Sequence, residues 1–372
     1  MHTILFDVDG VFLKEERYFD ASALCVWEIL GSENYLGLGL DFHLPVAEST
    51  IRNIRDMVFD CNRVLNFIKS RGINSNWDMV FLQVSYQLVR GLIQLDQKQV
   101  AESYLREPFT RESLQELGAK FREIELKPDY PAFVQGFADS RAQKHELFSV
   151  FNQMIETHFQ MECNFFSRNS SLWNLCQRAF QEWYIGEELY VQETKIPLIQ
   201  SGKRGFLKDE IVLAPVDRLQ SLLQRLQEKG YTLGIATGRP NLETRVPLSE
   251  IGVLKYFDLN RVVTASDVLA AEQKYPQYAP LAKPHPFCYL EALYGKQTDI
   301  LELLTLDLPL PNVEDILIVG DSLADYYAAK AIGCKFAATL TGLSGEKARA
   351  SFEALDTDYI LQDVLEIENL LL

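Results

Sequence analysis

The first strand-like run of the chain, Ile4-Leu5-Phe6, stands more than 220 residues away from every later one. Between them, from the charged run Lys14-Glu15-Glu16-Arg17 to about residue 205, the sequence reads as helix after helix. After Gly205 apolar strands and helices alternate, which implies a parallel sheet covered on both faces. The spacing predicts strands at 232–236, 261–264, 316–319, 335–339 and 359–361. It predicts helices at 216–229, 242–251, 287–294, 323–332 and 364–371. A sheet that draws its first strand from one end of the chain and the rest from the other is discontinuous. The expected fold class is therefore α/β, a doubly wound parallel sheet built from residues 1–13 and 206–372. A large all-helical domain, 14–205, is inserted directly behind the first strand.

Within the insertion, apolar residues form single stripes. Ile51, Ile54, Val58, Cys61, Leu65 and Ile68 recur at steps of three and four, as do Trp77, Val84, Leu88 and Leu95, so helices are predicted over 51–68 and 77–95. Others are predicted at 111–122, 130–160 and 171–190, with Ser75 or Asn76 and Ser170 or Ser171 as N-caps. Phe148, Phe151, Phe159 and Trp183 fall at helical spacing and read as core. The 51–68 stripe is too short for a long coiled coil, so packing within a bundle is expected. Gly37-Leu38-Gly39 is followed by Phe42 rather than a third glycine, and Ser201-Gly202-Lys203 lacks the upstream glycine of a phosphate loop. Dinucleotide binding and P-loop chemistry are set aside.

At 372 residues and 47% hydrophobic, the chain has enough apolar surface for two cores. A formal charge of −16 argues against nucleic acid as a partner, because phosphate backbones need clustered Lys and Arg. It leaves room for a small phosphorylated molecule held by a local positive site. Cys25, Cys61, Cys163, Cys176, Cys288 and Cys334 have no metal-ligand spacing and read mostly as buried thiols of a reducing compartment. No apolar run approaches the ~18 residues of a membrane span, and a strand this close to residue 1 leaves no room for a signal peptide. A cytoplasmic protein without membrane contact is expected; its oligomeric state is not legible.

Three apolar residues run into Asp7, with Asp9 and Gly10 just beyond. A buried strand that stops at an acid places that acid at the sheet edge, where α/β folds keep their ligand crevices. Gly10 lets the chain bend sharply and turn Asp9 towards the same place. Thr237-Gly238 follow the strand Leu233–Ala236, Lys283-Pro284 come next, and Asp321 and Asp325 follow the strand Ile316–Gly320.

These four motifs, in this order, resemble those of the haloacid dehalogenase-like hydrolase superfamily. The likeness covers residues 1–13 and roughly 206–360, about half the chain. It implies a Rossmann-like core, and the helical insertion resembles the family's C1-type cap, though larger than usual. The cap is expected to open for substrate and close to exclude water. Four carboxylates in one cleft repel, and a divalent cation resolves this; oxygen ligands with a phosphate co-ligand favour Mg²⁺. By resemblance Asp7, Asp9 (through its carbonyl), Asp321 and Asp325 hold that ion, with Asp325 also placed to act as a helix N-terminal charge. Asp7 is then the nucleophile that takes the phosphoryl group. Lys283, Thr237 and the amide of Gly238 stabilise the phosphoryl oxygens. Asp9 serves as general acid and then general base.

An acid two residues after the nucleophile fits the phosphotransfer branch, as in phosphoglycolate-phosphatase-like enzymes and β-phosphoglucomutase, rather than the dehalogenases. The expected activity is a Mg²⁺-dependent phosphatase acting on a small phosphate monoester. A phosphomutase using the same Asp7 is an alternative, as is a non-catalytic protein that binds a partner through its helical domain. Arg239 and His285 flank motif residues; each could reach substrate, but the first reading of both is as surface or packing residues. The Lys14-Glu15-Glu16 run departs from the small or acidic positions of the family there, so the family's substrate preferences do not carry over to this chain.

Overall fold

The computed structural model describes residues 2–73 and 75–372. The chain forms two compact units, Met1–Glu15 with Leu207–Leu372, and Glu16–Phe206.

The first unit is built on a six-stranded sheet: β1 (Thr3–Phe6), β2 (Thr232–Ala236), β3 (Val262–Val263), β4 (Ile316–Gly320), β5 (Lys335–Thr339) and β6 (Tyr359–Leu361). The strand order is β3-β2-β1-β4-β5-β6, and every pairing is parallel. Side chains alternate between two cores, as a two-residue period requires. Ile4 and Phe6 pack on one face with Leu219, Leu222 and Leu226, while Leu5 packs on the other with Phe287, Leu290 and Ala329. Phe6 is level with Ile235 of β2 and Val319 of β4. The segments leaving the three central strands therefore emerge together at one edge of the sheet.

Among the differences from expectation in this unit, two lie at β3. β3 is two residues long rather than four, and a helix follows it at Ala265–Lys274 that periodicity did not mark. Its signal is the cap. Thr264 donates to Asp267 Oδ2 through both its backbone N–H (2.8 Å) and its hydroxyl (2.7 Å), closing a capping box. The outgoing and returning chain segments pair with each other. Lys14 N donates to Ile211 O at 2.8 Å, and Leu213 N to Phe12 O at 2.9 Å.

The second unit has no strand among its described residues. Helix Glu16–Gly31 is buried from Arg17 onwards and packs against Glu48–Val58, Asn76–Leu95 and Ser171–Ile185. A helix buried all round carries no polar stripe, so no amphipathic pattern marks it in the sequence. Asn76–Leu95 and Arg111–Glu123 form much as predicted, and the Ser75 and Ser170 hydroxyls accept from the N–H groups of Asp78 and Trp173. The 51–68 stripe is not one helix. Asp60, Cys61 and Asn62 all take positive φ, which ends Glu48–Val58 and restarts the chain at Arg63–Ser70, and Cys61 lies exposed. The 130–160 stretch likewise splits into Ala132–Gly136 and Glu146–Phe159, and 171–190 breaks at Gly186. Cys25, Cys176, Cys288 and Cys334 are buried.

A buried ion cluster ties the end of this unit to its centre. Lys203 Nζ lies 2.8 Å from Glu28 Oε2 and 2.8 Å from Glu182 Oε2, and all three side chains are fully buried. Trp183 Nε1 donates to Glu28 at 2.7 Å. Burial pushes the Glu28 carboxyl up to about 7, against the pull of Lys203. Removing the shared cation leaves buried Glu28 without an ionic partner and Glu182 with Arg178 alone, 3.1 Å from its Oε1, so Lys203→Met is expected to cost about 3–5 kcal/mol in chemical denaturation. The acid side of the cluster has a pH signature. From 4.5, the ordinary glutamate value, to about 7 the unfolded chain releases the Glu28 proton while the folded chain keeps it. Stability therefore falls as pH rises across that window, and Glu28→Gln is expected to flatten the slope measured by denaturation at a series of pH values.

Candidate active site

Asp7 follows the last residue of β1, and its N–H still reaches Val319 O of β4 at 2.9 Å, so the sheet fixes its backbone. Its Oδ1 accepts from Val8 N at 2.8 Å and lies 3.1 Å from Lys283 Nζ. Lys283 also lies 2.7 Å from Asp325 Oδ1. One ammonium thus bridges acids that leave two neighbouring strands. Asp325 sits at the third position of helix Leu323–Ile332, where it completes a capping box with Ser322, whose hydroxyl donates to Oδ2 at 2.6 Å. The capping role and the site role fall on one buried carboxylate, one oxygen for each.

Asp321 completes the group. Carboxylate oxygens of Asp7, Asp321 and Asp325 lie within 4.8 Å of one another. Burial, followed by the charges of Asp325 and Asp7, holds the Asp321 carboxyl well above the usual range. Burial likewise pushes Asp7 up to about 7, with Lys283 opposing it. Asp325 moves the other way. Burial works against its charge, but Lys283 and hydrogen bonds from Ser322 and Tyr289 keep it below the ordinary value. The Lys283 ammonium is also desolvated, yet Asp325 and Asp7 raise its pKa. Two buried acids and the half-buried Asp321 with one lysine leave excess negative charge, and an all-oxygen donor set of this kind fits a hard divalent cation.

The backbone around Asp321 leaves no spare room. Gly10 has a φ of 68°, and a Cβ there would lie 2.3 Å from the Asp321 carboxyl carbon. A Cβ on Gly342 would lie 1.8 Å from its Oδ2. The Gly10 carbonyl is held by the Thr339 hydroxyl at 2.9 Å and by that of Thr341 at 2.5 Å. These positions after β5 carried no motif in the sequence.

Thr237 and Gly238 leave β2 at the same edge. Thr237 N donates to Val263 O at 3.0 Å, and its Oγ1 accepts from Arg239 N at 3.2 Å, which leaves the hydroxyl proton to point elsewhere. Gly238 is exposed, with no heavy atom within 4 Å of a Cβ built on it. His285 Nδ1 accepts from Phe287 N at 3.2 Å, so that nitrogen caps its own loop. Tyr289 was missed by sequence reasoning. Buried six residues after Lys283, it donates its hydroxyl to Asp325 Oδ1 at 2.7 Å and places its ring 4.8 Å from the Lys283 ammonium. Arg239, expected to be a surface or packing residue, is buried and contacts Asp9 Oδ1 at 2.5 Å. Asp9 does not belong to the three-carboxylate group; its side chain turns towards Arg239 instead.

A family model described as haloacid dehalogenase-like hydrolase matches residues 185–339. An X-ray structure solved as Northeast Structural Genomics Consortium target ZR25 is 38% identical, with a TM-score of 0.91 and coverage of 100% of this chain and 98% of that one. A HAD-superfamily hydrolase of subfamily IA, variant 1, from Geobacter sulfurreducens is 15% identical, with a TM-score of 0.38 and coverage of 100% and 96%. A hydrolase from Pseudomonas syringae is 15% identical, with a TM-score of 0.37 and coverage of 100% and 98%. No curated protein matches the chain.

The packing at Gly10 is directly testable. Gly10→Ala combines a left-handed backbone, worth about 1–2 kcal/mol, with a collision at Asp321. Gly230→Ala is the control, because Gly230 also has positive φ but nothing within 4 Å of a Cβ. Gly10→Ala is expected to lose more stability than Gly230→Ala in chemical denaturation; equal losses would mean that the approach to Asp321 carries no cost.

Proposed function

The chain belongs to the haloacid dehalogenase-like hydrolase superfamily, and we propose that it is a Mg²⁺-dependent phosphatase that hydrolyses a small-molecule phosphate monoester through an aspartyl-phosphate. The observation that carries this reading is the Asp7–Lys283–Asp325 bridge beside Asp321, a nucleophile-sized acid held against a fixed cation at the sheet edge.

Mg²⁺, held by Asp7, Asp321, Asp325 and the carbonyl of Asp9, would supply positive charge against the phosphoryl oxygens and the clustered acids. The chain's own residues do the rest. Asp7 attacks phosphorus, and the ester oxygen departs with a proton from Asp9. A water molecule then gives its proton to Asp9 as its oxygen attacks the same phosphorus, the bond to Asp7 breaks, and inorganic phosphate leaves. Lys283, the Thr237 hydroxyl and the Gly238 N–H donate to the phosphoryl oxygens throughout. Lys283 also favours the charged forms of Asp7 and Asp325 against the cost of their burial.

Phosphate release from a panel of phosphate monoesters, with Mg²⁺ and with chelator, tests the proposal. Release is expected from the wild type with Mg²⁺, to vanish with chelator, and to fall by about 10³-fold or more in Asp7→Asn, because the covalent step is lost. Release that survives in Asp7→Asn would refute the nucleophile assignment.

A further inference from the structure

Arg239 is among the largest fully buried side chains of the protein, and the reaction above gives it no task. Its Nε and Nη2 both donate to one oxygen of Asp9, Oδ1, at 2.9 and 2.5 Å. Its Nη1 donates to Glu210 Oε1 at 2.7 Å and to the backbone oxygen of Glu243 at 3.3 Å. The backbone is held as well. Arg239 N donates to Thr237 Oγ1, and Arg239 O accepts from Ala265 N at 2.9 Å. Glu210 is itself buried and immediately precedes Ile211, the residue whose carbonyl pairs with Lys14 on the returning segment.

A guanidinium fixed on several sides is a rigid planar fork, and it orients whatever carboxylate it grips. Here it occupies Oδ1 of Asp9 completely. Oδ2 makes no hydrogen bond among the described residues, and the Asp9 side chain is 25% exposed. Glu210 shares the positive charge, so the fork holds direction without standing as an unpaired buried cation. We infer that Arg239, anchored by Glu210, is a positioning residue for Asp9, reserving Oδ1 so that Oδ2 alone exchanges the catalytic proton. The inference rests on the acid–base role given to Asp9 above. In the first half-reaction the Oδ2–H bond breaks and its proton goes to the departing ester oxygen as the bond from Asp7 to phosphorus forms. In the second, Oδ2 takes a proton from water as the bond from Asp7 to phosphorus breaks.

Leaving-group dependence separates this role from a merely structural one. p-Nitrophenolate departs without a proton, whereas an alkoxide needs one. kcat/KM reports the first half-reaction. Wild type, Arg239→Met, Arg239→Lys and Glu210→Gln are compared on p-nitrophenyl phosphate and on the most rapidly hydrolysed alkyl phosphate of the panel. Arg239→Met is expected to lower kcat/KM about 10–100-fold on the alkyl ester, a share of what general acid catalysis supplies, and less than about threefold on p-nitrophenyl phosphate. Arg239→Lys recovers part of the loss, and Glu210→Gln shows the same selective loss at smaller size. Arg239→Met added to Asp9→Asn is expected to slow the alkyl reaction no further.

Equal losses on both esters, or losses that multiply in the double variant, would overturn the positioning role and leave Arg239 as support for the fold. Should Arg239→Met fail to fold, Glu210→Gln decides by the same comparison. Absence of wild-type release from either ester would instead overturn the phosphatase reading, and the inference with it.

Discussion

Mutual repulsion of acids at one sheet edge is the constraint that the α/β unit is arranged around. Asp7, Asp321 and Asp325 lie close enough for their oxygens to share one ligand, and burial makes each charge costly. Parallel pairing of β1 with β2 and β4 removes the freedom of these residues to drift apart. Lys283 then offsets part of the charge by bridging two of the three, and Tyr289 supports that bridge from below through both its ring and its hydroxyl. The close glycines follow from the same requirement. Asp321 stands where it does only because Gly10 and Gly342 present no side chain to it.

The helical unit also buries charge, there with acids and cations more evenly matched. There a single lysine sits between two glutamates, Glu28 and Glu182, and Asp20 is held by Arg17 and Arg55 at 3.1 Å each. Each buried group in these clusters has a partner of opposite sign within the same unit. Replacement of such clusters by apolar side chains is often neutral for stability, so their use here lies in selecting one packing among many. Lys203, in the irregular stretch that ends the unit, helps fix where the chain leaves the bundle.

Legibility in the sequence followed the range of the interaction involved. The helix Leu323–Ile332 and the strands Lys335–Thr339 and Tyr359–Leu361 form where periodicity and caps put them, because neighbours in sequence decide them. Asp7, Thr237, Asp321 and Asp325 were legible as polar residues that follow strands, and the parallel register brings them to one edge; Lys283, in the loop before helix Phe287–Tyr294, was legible only through the resemblance in motif order. The break at Asp60–Asn62 was hidden because its apolar stripe keeps step on both sides of the left-handed turn; Val58 and Leu65 are buried either way. Arg239 was misread for a different reason. An arginine beside a motif resembles any surface cation until Glu210 and Asp9, 29 and 230 residues away, are seen on either side of it.

The pairing of residues 12–14 with 211–213 has a consequence for the sheet's energetics. To the sheet, the intervening stretch of about 190 residues is a closed excursion whose two ends are already joined by backbone hydrogen bonds. Closure entropy grows only logarithmically with length, by about 0.6 kcal/mol per doubling. The α/β unit is therefore nearly indifferent to how large an excursion it carries. A helical domain of this size could lengthen, shorten or change sequence while the acids at the sheet edge kept the same register, which separates the history of the inserted domain from that of the chemistry of the α/β unit.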